Sequence, residues 1–155
     1  MGTAPRFRFD DFTTADQVDV RALILSGLAE HWREVDASLN GDLDDIATLH
    51  ASGRTVIVRD GQVLCGTGTL VMRDATTAEI VRMSVRRDVR HIGLGAAIVE
   101  ELVATARSFG RERVILETSS GWSDVIAFYV RCGFRITHVR DGEFGSDTWF
   151  ERLVE

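Results

Sequence analysis

Two short segments place chemically able residues at useful spacing. The first is Arg90-His91-Ile92-Gly93-Leu94-Gly95-Ala96, which follows a strand-like run at 78–85 and opens an amphipathic helix over 93–109. A helix start leaves backbone N–H groups without partners and carries the positive end of the macrodipole. Glycines there let a phosphate approach the main chain. Arg86, Arg87 and Arg90 add positive charge beside the loop. The second segment, Ala127-Phe128-Tyr129-Val130-Arg131-Cys132-Gly133-Phe134, sets the chain's only tyrosine one turn before a helix-ending glycine. A phenol of ordinary acidity can donate its proton to a basic leaving group, so Tyr129 is a candidate general acid. Glu79 shares a strand face with Val81 and Met83, where desolvation raises a carboxyl toward neutrality and suits it to act as a general base. Glu117, at the end of the next strand, is the second candidate base, and solvent is the third.

Other phosphate-binding chemistries fit less well. A dinucleotide-binding turn needs a third glycine where Ile98 stands, although Glu117 falls at the distance of a ribose-binding acid. All 18 basic residues are arginine, so a Walker loop and a lysine Schiff base are excluded. His31, His50, His91 and His138 show no ligand spacing with one another or with Cys65 and Cys132, and no metal site is expected. Cys132, beside Gly133, reads as a small buried residue and not a nucleophile.

The elements that must position these groups follow from periodicity and punctuation. A strand is predicted over 6–12. A capping-box pattern at Thr14 and Gln17 then leads a helix to about Trp32, with Ile24, Leu28 and Trp32 at helical spacing. A short helix over 43–51 follows; Asp42, Asp44 and Asp45 read as its solvated, dipole-favouring start. Runs 55–59 and 62–72 form a hairpin through Asp60-Gly61. After strand 78–85, helix 93–109 places Leu94, Ile98, Leu102, Ala106 and Phe109 on one face and stops at Gly110. A buried strand at 114–118, a helix capped by Ser123 and running to Cys132, and strands at 134–138 and 148–153 complete the chain. This order implies an α/β fold of one domain over 1–155: a mixed sheet with helices on both faces and a parallel strand pair around helix 93–109.

Arg90, Gly93 and Gly95, followed by Tyr129, Gly133 and Phe134, resemble the motifs of the GNAT superfamily of acyl-CoA-dependent N-acetyltransferases. The likeness covers roughly residues 78–138. It implies acetyl-CoA as co-substrate, with its pyrophosphate on Arg90 and the backbone of His91, Ile92, Gly93, Leu94, Gly95 and Ala96. Main-chain groups of Met83 and Val85 would pair with the pantetheine arm, in a gap between splayed strands near 83–85 and 118–120. The resemblance also places Glu79 where the histone-acetylating branch carries its catalytic glutamate, and puts His31, Trp32 and Asp36 near the acceptor. One position departs from the pattern: Trp122 stands seven before the tyrosine, where asparagine is common, which leaves the polar contacts of Ser119, Ser120 and Ser123 open.

Composition bounds the partners. Hydrophobic content of 45% and charged content of 27% are those of a globular domain. A net charge of −6 argues against nucleic acid, and no apolar run spans a bilayer. Two cysteines and no signal-like stretch lead to a cytoplasmic expectation. The expected partner is a small-molecule or peptide amine, with a homodimer among the permitted assemblies. The leading function is acetyl transfer to a primary amine. The rival is a non-catalytic acyl-CoA-binding or sensing module, and a dinucleotide-dependent oxidoreductase stands third.

Overall fold

The computed structural model describes residues 6–31, 37–143 and 145–155. Seven strands form one mixed sheet: β1 (Arg8–Asp11), β2 (Arg54–Asp60), β3 (Val63–Met72), β4 (Thr77–Val85), β5 (Arg113–Ser119), β6 (Arg135–Gly142) and β7 (Gly145–Leu153), in the order β1-β2-β3-β4-β5-β7-β6. Four α-helices flank it: α1 (Gln17–Ala29), α2 (Ile46–Leu49), α3 (Leu94–Ser108) and α4 (Ser123–Arg131). Every neighbouring pair is antiparallel except β4 and β5, which α3 joins as a parallel crossover.

Alternation along the strands divides the sheet into two faces. Val56, Leu70, Ala78, Ile80, Val114, Leu116 and Phe150 pack against α3, with Tyr129 and Phe134 in the same cluster. On the other face, Ile57 and Leu64 meet Val20 and Ile24 of α1, together with Leu43 and Ile46. The stripe on α3 runs Leu94, Ile98, Leu102 and Ala106, all buried, whereas Phe109 is 49% exposed because the helix has ended. Gly68 lets α3 lie close to β3: a Cβ there would come within 2.5 Å of Met83 Sδ and 2.9 Å of Ile98 Cγ2.

Helix entries differ from the sequence expectation by one residue or one bond. The capping pair is Thr13 with Asp16, not Thr14 with Gln17. The Asp16 carboxylate accepts from Thr13 N (2.9 Å) and Oγ1 (3.1 Å), and from Arg59 Nη2 at 2.8 Å. Gln17 instead bridges to the second helix, donating to Leu43 O and accepting from Ile46 N. At α4, Trp122 is the N-cap and no side chain caps the turn. The expected helix over 43–51 shortens to Ile46–Leu49 after a 3₁₀ stretch, with Asp45 capping it through Thr48 N and Oγ1. Asp42 and Asp44 are tied to Arg82 and Arg21.

Candidate active site

β4 and β5 pair only through Thr77, Ala78 and Glu79 with Arg113, Val114 and Ile115. Beyond that seam β5 continues on β7 and β4 on β3, so the two strands diverge toward Val85 and Ser119. A cleft of about 1340 Å³ opens there, lined by Glu79, Met83, Val85, Glu117, Ser119 and Tyr129, and reaching the start of α3. β4 is also irregular: Thr67 aligns with Ser84 and Thr69 with Val81, leaving Arg82 and Met83 opposite Gly68. This bulge holds Arg82 at φ +54°, outside the usual range for a non-glycine residue, and takes the Met83 main chain out of the regular ladder. The Arg82 guanidinium then clasps Asp42 at 2.7 and 2.9 Å and Asn40 at 3.0 Å.

The loop before α3 has the shape of an anion cradle. His91 and Gly93 take φ +65° and +88°, and nothing lies within 4 Å of a Cβ placed on Gly93. Among the described residues, no acceptor meets the backbone N–H groups of 91–96; the first bond there runs from Ala97 N to Gly93 O. Gly95 is needed for a close approach, since its Cβ would lie 3.1 Å from the Phe128 ring. The arginines behave differently from expectation. Arg90 Nε donates to Val85 O at 2.9 Å and its Nη2 pairs with Glu30 at 2.7 Å. Arg86 pairs with Asp88. Neighbouring carboxylates thus offset two of the three positive charges foreseen beside the loop, and the side chain of Arg90 holds the Val85 carbonyl foreseen for a ligand.

Tyr129 lies on the α3 and α4 side of the sheet, 7% exposed, its ring edge-on to Phe128 and Phe134 and tilted against Phe150. Its hydroxyl has no hydrogen-bond partner among the described residues and the residue lines the cleft. Burial, reinforced by Cys132, pushes the phenol well above its ordinary value, so it stays protonated throughout the working range but is a weaker acid than the ordinary phenol the sequence suggests. Cys132 is itself raised by burial and then by Glu100, as befits an inert thiol.

The two glutamates lie on the opposite face. Glu79 aligns with Ile115, and Glu117 is two residues further along β5, so both point to the α1 side. Glu79 is buried and accepts from Arg73 Nε at 2.9 Å. This ion pair leaves it a partnered acid instead of the lone desolvated base that the sequence suggests. Glu117 meets no cation at ion-pair distance among the described residues; it is open to the cleft while the sheet desolvates it from below. Burial, then the charges of Asp147 and Glu79, push its carboxyl above the ordinary glutamate value, against opposing pulls from Arg140 and Arg73. Sequence reasoning missed Asp147, whose alignment with Ser119 puts it on this face beside Glu117. Only the register of a distant strand reveals it.

At the rim, His31 and Trp122 pack ring on ring, 4.3 Å between centroids and 33° between planes, joining the end of α1 to the start of α4. Trp32 and Asp36 lie outside the described residues. Among the described residues, no helix is long and apolar enough to cross a membrane, and no group of three or more His, Cys, Asp or Glu is placed to hold a metal ion.

The splayed parallel pair and the glycine loop that feeds it lie within the stretch matched by a known family. The model of the acetyltransferase (GNAT) family matches residues 19–134. The chain belongs to the GNAT acetyltransferase family. A Xenopus tropicalis protein described as probable N-acetyltransferase 14 is 28% identical over 136 residues, covering 85% of this chain and 63% of the relative. The chain spans less than two thirds of the length of the curated relatives it matches. Among solved structures, a GNAT acetyltransferase from Staphylococcus aureus superposes with a TM-score of 0.85 at 18% identity, covering 96% of this chain and 99% of the other. A GNAT acetyltransferase from Elizabethkingia anophelis, solved with acetyl-CoA bound, gives a TM-score of 0.77 at 15% identity, with 97% and 99% covered. At these identities, the likeness to this GNAT enzyme and its neighbours shows a common fold.

Proposed function

We propose that this GNAT domain moves the acetyl group of acetyl-CoA onto a primary amine by direct attack. The observation that carries the reading is the seam between β4 and β5: it opens a passage through the sheet, with Tyr129 on one face and Glu117 on the other. The donor enters from the α3 side. Its pyrophosphate is held by the free N–H groups of residues 92–96, and its pantetheine arm runs beside the displaced main chain of Met83 and Val85. His91 and Arg90 frame the loop, Arg90 as its brace to Glu30 and, once Glu30 is displaced, as a phosphate partner. The amine enters from the α1 side.

The steps balance within this frame. Glu117 accepts the ammonium proton, and its raised affinity for protons suits that transfer. The freed nitrogen attacks the thioester carbonyl, the C–N bond forms, and oxygen charge develops beside the bulge. As the C–S bond breaks, Tyr129 donates to the departing sulfur and the nitrogen sheds its second proton to solvent; solvent then reprotonates Tyr129 and takes the proton held by Glu117, so that one proton is released overall. Glu79, the first candidate from the sequence, acts here through its charge on Glu117 while anchored by Arg73.

Thiol release from acetyl-CoA over a panel of alkylamines, polyamines, aminoglycosides, amino acids and peptide N-termini tests the reading, alongside melting curves with coenzyme A and NAD. At a hundred times its dissociation constant, coenzyme A should stabilise by about 2.7 kcal/mol, a shift of several degrees. Stabilisation by NAD but not by coenzyme A would overturn the assignment. Coenzyme A binding without amine-dependent thiol release would favour the sensing module.

A further inference from the structure

One carboxylate sits where the donor's phosphates need a cation. Glu30 is the C-cap of α1, where the negative end of the helix macrodipole disfavours a further negative charge. It is nonetheless only 24% exposed, and its carboxylate meets Arg90 Nη2 at 2.7 Å. Both side chains line the cleft together with Gly93 and Gly95 of the phosphate loop. Among the described residues, Arg90 is the one cation at ion-pair distance from Glu30, and Glu30 the one carboxylate at that distance from Arg90.

The two halves of this pair are anchored independently. Arg90 Nε donates to Val85 O at 2.9 Å, so the guanidinium stays aimed at the loop whether or not Glu30 holds it. Its Nη1 has no partner among the described residues. On the other side, His31, next after Glu30, packs its ring on Trp122, and Val20 and Ile24 fix α1 in the core. A carboxylate held on such a turn remains close to Arg90 after losing its bond, at the high local concentration of a tethered group.

We infer that Glu30 is a tethered competitor for the donor's phosphate, yielding Arg90 to the pyrophosphate when acetyl-CoA binds and reclaiming it as coenzyme A leaves. This rests on the transferase reading above and adds a positioning residue, which acts through Arg90 and touches no reacting atom. The loop's free N–H groups and an uncontested guanidinium together would hold the spent donor tightly. Competition from Glu30 weakens that hold at the end of each turnover.

Coenzyme A and pantetheine separate the idea, because they share the thiol arm and only the first carries phosphate. In calorimetric titrations, Glu30→Gln should bind coenzyme A about tenfold more tightly than the wild type does, the low end for a charge-assisted hydrogen bond, while pantetheine binding stays unchanged. In turnover, coenzyme A should inhibit the variant at about tenfold lower concentration. With Arg90→Gln already present, the same replacement of Glu30 should lose most of its effect, since the group it competes for is gone. Unchanged or weaker coenzyme A binding in Glu30→Gln, an equal gain for pantetheine, or a full gain without Arg90 would each overturn the inference. If coenzyme A leaves the wild-type melting curve unmoved, the transferase reading itself fails, an outcome distinct from wild type and variant binding coenzyme A alike.

Discussion

Replacing Tyr129 by phenylalanine tests the site through two readouts that should come apart: stability should hold while turnover falls. The ring is packed by Phe128, Phe134 and Phe150, and Tyr129→Phe keeps all of that packing. The hydroxyl, by contrast, meets no protein partner among the described residues on a side chain only 7% exposed. The hydroxyl is not among the buried unpartnered polar atoms and the residue lines the cleft, so its removal forfeits no hydrogen bond within the protein and the variant should keep its stability to within about 0.5 kcal/mol. For a domain of this size that keeps Tm within about 2 °C of the wild type. Turnover should fall about a hundredfold, the lower end of general-acid effects and about 2.7 kcal/mol of transition-state stabilisation. Calorimetry and single-turnover thiol release on one preparation measure both. A Tm lowered by several degrees with an unchanged chemical step would show that the hydroxyl is structural and refute the assignment.

Three further outcomes follow from the same geometry. Glu117→Gln should abolish the acidic limb of the kcat/KM profile and move activity to higher pH, whereas Glu79→Gln should shift that limb to lower pH by removing a negative neighbour; the reverse pattern would make Glu79 the base. Gly93→Ala meets no atoms but must adopt φ +88°, a strain of about 1–2 kcal/mol partly offset in the unfolded chain, so Tm should drop by about 2–4 °C and coenzyme A titrations should show weaker binding. Asp16→Asn loses the ion pair with Arg59 and should cost about 2 kcal/mol near neutrality. At Asp16, burial opposes ionisation, but the bonds from Thr13 and Arg59 outweigh it and depress the carboxyl. This contribution is therefore complete above the unfolded value of about 3.9 and is lost as pH falls through the folded one. Denaturant curves of wild type and variant should converge in acid.

What the chain reveals in advance is what local rules encode. Asp60-Gly61 makes its hairpin, with Gly61 at φ +60°, and Gly93 opens α3 where the phosphate reading requires a left-handed residue. Tyr129 is singled out by its motif, Glu79 ahead of Glu117 as the candidate base by its place on the strand, and the splayed gap by the family resemblance. The remainder is tertiary. Arg73 reaches Glu79 across a turn, Arg90 reaches Glu30 across 60 positions, and Trp122 finds His31 across a cleft. No periodicity records such pairings, and each changes what the neighbouring group can do. The capping errors have a simpler cause. Thr13 and Thr14 are adjacent and equally able to cap, and Arg59, brought in by the sheet, decides in favour of the pair with Asp16.

The short seam between β4 and β5 also has a mechanical meaning. Three residue pairs join the block β1-β2-β3-β4 to the block β5-β7-β6, while the neighbouring ladders are longer. The sheet is thus two stiff leaves on a narrow hinge, strapped on one side by α3, which touches β2, β3, β4 and β5. A small rotation about residues 77–79 and 113–115 widens or narrows the far end of the gap without breaking any ladder within a leaf. An extended arm lying in that gap would work as a wedge that sets the angle between the leaves.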